Sequence, residues 1–289
     1  MYLFYSLRPK HWAKNLFIFL PLIFGKKLFD SPENLKATLG FALFCLASSA
    51  VYIFNDLVDK EQDRLHSSKS LRPIASERLS ASAALVAAVV LALSSTALAW
   101  LLDPSFAVVV VAYLVFNFVY TYLLKKLVII DVFCLGLFFL LRIVAGTVLV
   151  DVEFSHWMIF MVVLLALFLG FNKRRQEFHS LHDEASAHRG VLAKYNLYFI
   201  DQMIAVITST LVVVYMLYTI DERTVNHFGT RHLYYTIPFV YYGIFRYLYL
   251  VHKRKQAEDP THVFFSDRMT QLNLFIWIAL CIGIIYFKV

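Results

Sequence analysis

Asn55, Asp56, Asp59 and Asp63 are the side chains of this sequence with the plainest capacity for chemistry. They close a long apolar run, 35–54. At about 100° per residue of helix, the four fall within one arc roughly 100° wide. Carboxylates crowded on one face raise one another's proton affinity unless a cation lies between them. Hard oxygen donors suit Mg²⁺, which is usually bound by one or two carboxylates and completes its shell with water and substrate phosphates. Asp56, Asp59 and Asp63 are therefore the candidate metal ligands and catalytic residues, and Asn55 is a candidate substrate contact through hydrogen bonds. The competing reading is a solvated helix extension, which Lys60, Glu61, Gln62 and Arg64 would fit. The abrupt, one-sided start of the acidic residues at the end of an apolar run favours a site.

Cations lie where a phosphate held by such a metal would need them. Lys69 and Arg72 belong to a short basic segment, 66–74, just after the aspartates. Lys173, Arg174 and Arg175 form a second cluster, with Glu177 four residues beyond Lys173 and able to share its helix face. Each has a bland reading as a membrane-edge anchor. Arg142 sits inside an apolar run that begins at Asp131, and a charge so placed needs a partner or a polar cavity, so it is a substrate-binding candidate lining the cavity or one half of a structural pair with an acidic residue. Arg246 has the same two readings. Ser266-Asp267-Arg268 reads equally well as a helix cap. Tyr113, Asn117 and Tyr120 share a stripe that could line a cavity, with Tyr120 the substrate-binding candidate among them. His179 and His182 are three apart, but no cysteine or third histidine lies near enough in sequence to complete a zinc set.

The elements that must position these groups are transmembrane helices. The chain is 60% hydrophobic and only 16% charged, against about 25% charged for a soluble domain. Its mean hydropathy is +0.65. Apolar stretches near 20 residues recur along its length, so the fold class is an all-α integral membrane bundle. About nine spans are expected, near 14–28, 35–56, 82–102, 105–123, 129–149, 156–172, 198–220, 232–252 and 269–288. The turn at Asp103-Pro104-Ser105 leaves no room for a soluble insertion, so residues 1–289 read as one membrane domain. Pro21 and the lack of a small-residue cleavage site argue against a removable signal peptide at the first span. Cys45, Cys134 and Cys281 all lie in apolar runs and read as small buried hydrophobes.

Lys and Arg crowd alternate loops. The other loops and ends hold only Lys26, Lys27, Lys36, Arg223, Arg231 and Lys288. By the positive-inside rule the N-terminus and the polar chemistry face the cytoplasm, with the chain in the inner (cytoplasmic) membrane. The net charge of +7 is then mostly a topological charge, with attraction to anionic lipid and no nucleic-acid partner implied. Whether the chain is a homo-oligomer stays open.

These residues together resemble the UbiA superfamily of membrane prenyltransferases. That family carries nine transmembrane helices and an Asn-Asp-x-x-Asp-x-x-x-Asp motif at the end of the second, matched here by Asn55, Asp56, Asp59 and Asp63. The chain is most similar to the decaprenyl-phosphate phosphoribosyltransferase branch. The similar stretches are 7–15, 55–74, Asp131 with Leu141-Arg142 and Ala145-Gly146, Lys173-Arg174 with Glu177, Arg246-Tyr247, and Ser266-Asp267-Arg268. The resemblance implies Mg²⁺-dependent transfer of 5-phosphoribose from phosphoribosyl pyrophosphate to a polyprenyl phosphate. Aromatic prenyltransferases of the superfamily typically have a second aspartate-rich motif after helix six. Here that position reads Lys173-Arg174-Arg175-Gln176-Glu177. A mainly cationic cluster suits a donor and an acceptor that bring several phosphates. The alternative implied by the wider family is transfer of a prenyl chain from its diphosphate to an aromatic acceptor.

Overall fold

The computed structural model describes residues 1–65, 69–153, 155–183, 195–253 and 266–288, the side chains of 179–183 and 253 excepted. Among them the regular structure is entirely helical. The chain forms two compact units, one of Met1–Cys134 with Phe138–Glu153, the other of Leu135–Leu137 with the described part of Phe154–Val289.

The first unit opens with α1 (Tyr2–Ser6), a 3-10 helix (Pro9–Phe19) and α2 (Leu20–Phe24). It continues with α3 (Ser31–Val58), α4 (Lys60–Arg64), α5 (Ala81–Leu102), α6 (Pro104–Tyr122) and α7 (Ile130–Val150). The sequence sets these limits. Pro32 stands in the first turn of α3, where its missing N–H costs nothing. Ser80 caps α5 by accepting from the Ala83 N–H, and Asp103 caps α6 by accepting from the Phe106 N–H at 2.9 Å. The tight turn at Asp103-Pro104 is present, since α6 begins one residue after that cap.

α3 is the axis of this unit, and small residues let its neighbours approach. Its buried face includes Ala37, Gly40, Ala47, Ser48, Ser49 and Ala50. A Cβ on Gly40 would lie 2.2 Å from Leu149 Cδ1 of α7. A Cβ on Gly146 of α7 would lie 2.1 Å from the Ile18 carbonyl oxygen of the 3-10 helix. Such close backbone contact is how helices associate in lipid, where burying apolar surface gives little drive. The burial pattern is inverted relative to a soluble protein. Leu85, Val86, Val89, Val90 and Leu93 of α5 face outward, while Asn15, Ser48, Ser49, Asn117 and Thr121 are buried.

The second unit contains α8 (His156–Asp183), α9 (Leu197–Ile220), α10 (Glu222–Phe228), a 3-10 turn (His232–Thr236), α11 (Ile237–Lys253) and α12 (Arg268–Ile282). A π-helical turn, Gly283–Phe287, ends it. Side-chain caps again mark helix starts: Asn196 for α9, Asp221 for α10 and Asp267 for α12. Its interior is tied by buried hydrogen bonds. Tyr215 Oη lies 2.7 Å from Thr236 Oγ1 and accepts from Trp277 Nε1 at 2.9 Å.

Seven described helices are long and apolar enough to cross a membrane: α3, α5, α6, α7, α8, α9, and α12 with its π turn. Each coincides with an expected span. The two remaining expected spans are built differently. The first, near 14–28, is the 3-10 helix followed by the five-residue α2, because Pro9 and Pro21 punctuate it. The other, near 232–252, is divided between a 3-10 turn and the 17-residue α11. Cys45, Cys134 and Cys281 are free and buried, as their apolar settings imply.

Candidate metal–phosphate site

α3 ends at Val58, Asp59 sits at its cap with φ −92° and ψ 7°, and α4 resumes at Lys60. The helical hydrogen bonding is carried across this joint, with Asp59 N–H on the Asn55 carbonyl at 2.9 Å and Asp63 N–H on the Asp59 carbonyl at 2.8 Å. The angular arithmetic of one helix therefore nearly survives. Asp56 and Asp63 are both buried, and they converge. Arg72 Nη1 donates to Asp56 Oδ1 at 3.0 Å and to Asp63 Oδ2 at 2.6 Å. Arg8 Nη2 donates to the same Asp56 oxygen. Asp59 has a different partner, accepting from Lys125 Nζ at 2.6 Å. Asn55 Oδ1 accepts from Thr121 Oγ1 at 2.6 Å, and Thr121 is fixed in turn to the Asn117 carbonyl at 2.8 Å.

Of the groups singled out in the sequence, Asp56, Asp63 and Arg72 are thus brought together, while Asn55 is held by Thr121 and Asp59 by Lys125. Lys69 opens the short 3-10 turn Lys69–Leu71, and its carbonyl accepts from the Arg72 N–H at 3.0 Å. Residues 66–68 of that basic segment lie outside the described residues. A small ionic knot ties α4 to the segment that follows Arg72. Glu77 receives Lys60 Nζ at 3.3 Å and Arg64 Nη2, and Arg64 Nε donates to the Ala75 carbonyl. The Lys60 hydrogen bond first, and Arg64 after it, hold the Glu77 carboxyl below the ordinary carboxylate range.

Arg142 lies deeper in this unit and is buried. Its Nε donates to Asn15 Oδ1 at 2.8 Å, its Nη1 to the Phe138 carbonyl at 2.6 Å and its Nη2 to Tyr113 Oη at 3.3 Å. The rings of Phe44, Tyr113 and Phe139 surround its guanidinium carbon at 5.1–5.6 Å. Cation–π contact of this kind offsets part of the cost of a desolvated charge. Arg142 thus joins the 3-10 helix, α6 and α7 with neutral partners. Tyr120 packs edge-on to Phe138, ring centroids 5.4 Å apart.

In the second unit, Arg174 is buried and donates to Glu177, and Arg175 Nε donates to Asp201 Oδ1 of α9 at 2.7 Å. Lys173 lies half-buried on the same helix. The side chains of His179 and His182 are outside the described residues. Arg246 forms a two-pronged pair with Asp267, Nε on Oδ2 at 3.1 Å and Nη2 on Oδ1 at 2.8 Å. Asp267 also caps α12, accepting from Thr270 N–H at 2.9 Å. Both bland readings therefore hold at once, a structural pair for Arg246 and a cap for Asp267. The Arg246 hydrogen bond keeps the Asp267 carboxyl far below its usual range.

Sequence reasoning did not place Arg8, Lys125 or Thr121 in the site. They lie 48 and 66 residues from their partners, beyond any helical spacing. Their only signals were the similar stretch 7–15 for Arg8 and a loop charge for Lys125.

A sequence model of the UbiA prenyltransferase family matches residues 16–286. The chain belongs to the UbiA prenyltransferase family. It is accordingly a transferase, with the helical membrane fold of that family. This UbiA-family chain is 31% identical over 278 residues to decaprenyl-phosphate phosphoribosyltransferase of Mycobacterium tuberculosis, covering 95% of this chain and 91% of that protein. It is 29% identical over 287 residues to the protein of the same name from Corynebacterium glutamicum, covering 97% and 86%. Among solved structures it is similar to a UbiA homolog from Archaeoglobus fulgidus bound to DMAPP and Mg²⁺, with a TM-score of 0.74, 17% identity and 99% of each chain covered.

Among the described residues, no three His, Cys, Asp or Glu side chains gather closely enough to hold a metal by themselves. The donor chemistry nevertheless fits a hard divalent cation. Asp56 and Asp63 already point their oxygens at one cationic nitrogen, Arg72 Nη1, and these two carboxylates are the residues that would hold such an ion. Two carboxylates, with water and substrate phosphate as the remaining ligands, is the usual Mg²⁺ arrangement.

Proposed function

We propose that this UbiA-family transferase moves 5-phosphoribose from phosphoribosyl pyrophosphate to a polyprenyl phosphate, releasing diphosphate. The observation that carries the reading is the convergence of Asp56, Asp63, Arg72 and Arg8 at the end of a membrane helix. A charge-dense set of both signs at that position suits a metal-bound diphosphate. The names of the relatives similar over nearly the whole chain favour phosphoribosyl pyrophosphate as the donor. The cationic 173–177 segment, in place of a second aspartate motif, favours it as well.

Asp56 and Asp63 would hold Mg²⁺, with Asp59 able to join on leaving Lys125. The bound ion would supply Lewis-acid stabilisation of negative charge on the departing diphosphate. Arg72 and Lys69 would bind phosphate oxygens, for which the planar guanidinium fork is well shaped. Asn55, held by Thr121, would orient the donor by hydrogen bonding. Lys173 and Arg174 are further proposed phosphate contacts on the strength of their charge, with Glu177 setting the Arg174 guanidinium. Arg142 would act from beneath, keeping the 3-10 helix and α6 in register. An acceptor phosphate is anionic near neutral pH, so attack on C1 needs no dedicated general base. Catalysis is then mainly positioning and electrostatics. The proposal places the site on the cytoplasmic face of the inner membrane, where a soluble donor can reach it.

The deciding experiment incubates the purified chain with labelled phosphoribosyl pyrophosphate, a polyprenyl phosphate and Mg²⁺. A labelled lipid that disappears on chelation is expected. No labelled lipid there, together with product from prenyl diphosphate and an aromatic acid, would replace this reading by the alternative one.

A further inference from the structure

We propose that Arg8 is an exchangeable counter-ion of the site: without substrate it holds Asp56 where a divalent cation would bind, and on loading its guanidinium passes to the donor's phosphate oxygens. This rests on the metal–diphosphate reading above and extends it to a residue outside the motif.

Asp56 Oδ1 receives two guanidinium groups, from Arg8 and from Arg72. Arg72 has a second carboxylate in Asp63, whereas the other close neighbour of Arg8 is the Tyr52 ring, 5.4 Å from its guanidinium carbon. Two carboxylates and two guanidinium groups cancel in charge. A divalent cation taken up by the two carboxylates would cancel them alone, leaving two positive charges beside a newly bound ion. The diphosphate that arrives with the ion supplies the matching negative charge. The arginines are thus surplus to the loaded carboxylates and matched to the substrate.

Arg8 is built for such an exchange. Its side chain is 21% exposed while that of Asp56 is 4% exposed, so the guanidinium can turn toward a ligand that the carboxylate meets only from one side. Its backbone is fixed. Ser49 of α3 donates to the Leu7 carbonyl and accepts from Trp12 Nε1, both at 3.0 Å, which pins the chain on either side of Arg8. Between these anchors Arg8 adopts φ 54° and ψ 61°, left-handed for a residue with a Cβ and followed by Pro9. Strain of this kind persists where surrounding contacts over-determine it. Here it aims an arginine at the most buried carboxylate of the site.

A purely structural tie between the N-terminal segment and α3 would account for the same ion pair, and the two roles differ in metal affinity. Mn²⁺ binding to the full chain in detergent, without donor, is read by electron paramagnetic resonance for wild type, Arg8→Gln and Arg8→Lys. Removal of the competing cation is expected to tighten Mn²⁺ binding about threefold or more in Arg8→Gln, with a smaller tightening in Arg8→Lys, whose point charge pairs less firmly. In the transfer assay KM for the donor should rise about tenfold in Arg8→Gln, with a smaller change in kcat. Unchanged or weaker Mn²⁺ binding in folded Arg8→Gln overturns the proposal, and so does an unchanged KM. Should Arg8→Gln not fold, absence of any tightening in Arg8→Lys overturns it. The Mn²⁺ measurement uses no donor, so a chain that makes no phosphoribosyl lipid but shows the tightening would refute the proposed substrate and leave Arg8 in its role.

Discussion

Asp56 and Asp63 meet on one guanidinium nitrogen, whereas Asp59 has turned to Lys125. Spacing alone treats the three as equals, and their contacts rank them. Asp56→Asn and Asp63→Asn should each lower kcat about 100-fold or more, the scale of losing a group that stabilises developing charge. Asp59→Asn should cost about tenfold, because it leaves the convergent pair in place. Steady-state transfer at saturating Mg²⁺ checks this, and equal losses in all three would mean that loading draws Asp59 away from Lys125. A second consequence concerns acid stability. The Arg246 hydrogen bond depresses the Asp267 carboxyl in the folded chain, so its stabilising contribution is complete above the unfolded carboxylate value, about 4. It is lost as pH falls toward the depressed folded value. Asp267→Asn should therefore lower the unfolding temperature at pH 6 and flatten its decline below pH 4, with Arg246 kept in both proteins. The aspartates were legible in the sequence because helix geometry repeats every few residues. Arg8 and Lys125 were not, because only the packed chain brings them to Asp56 and Asp59.

Close approach of α7 to the 3-10 helix carries the N-terminal segment, and with it Arg8, to its position. Gly146 makes that approach, since an added Cβ would fall 2.1 Å from a backbone oxygen that no rotamer change can move. Gly146→Ala should therefore cost about 1–3 kcal/mol. Gly283, whose added Cβ would meet nothing within 4 Å, is the control: Gly283→Ala should stay within about 0.5 kcal/mol on packing grounds. Unfolding in detergent followed by circular dichroism separates the two, and equal effects would show that the α7 contact can relax. The same contacts explain which helices the sequence disclosed. α5, α6 and α9 are apolar on nearly every side and were legible from composition alone. The first expected span begins within the Pro9–Phe19 3-10 helix, which carries Lys10, His11, Lys14 and Asn15, and Pro21 marks the start of the short α2 that follows it. Hydropathy counts apolar residues and is blind to that geometry.

The pattern of charge along the chain predicts how it sits in the membrane, and its exposed surface makes the prediction testable. α5 turns leucines and valines outward, as lipid requires, and the family match runs through both units. A donor carrying a diphosphate cannot cross the bilayer, so the face that bears Asp56 decides which compartment must supply it. The distribution of Lys and Arg argues for the cytoplasm. Cys45, Cys134 and Cys281 are buried and should react slowly with thiol reagents, so single cysteines can be read against them. Lys10→Cys and Arg78→Cys, both at exposed positions, should be labelled by a membrane-impermeant maleimide in inverted vesicles and protected in right-side-out ones. Lys36→Cys and Arg231→Cys should show the opposite pattern. The reversed result at all four would put the aspartates outside and remove a cytoplasmic donor from consideration. Agreement at Lys10 and Arg78 with disagreement at Arg231 would instead locate the error in the count of crossings between those two arginines, the run from α5 to α9.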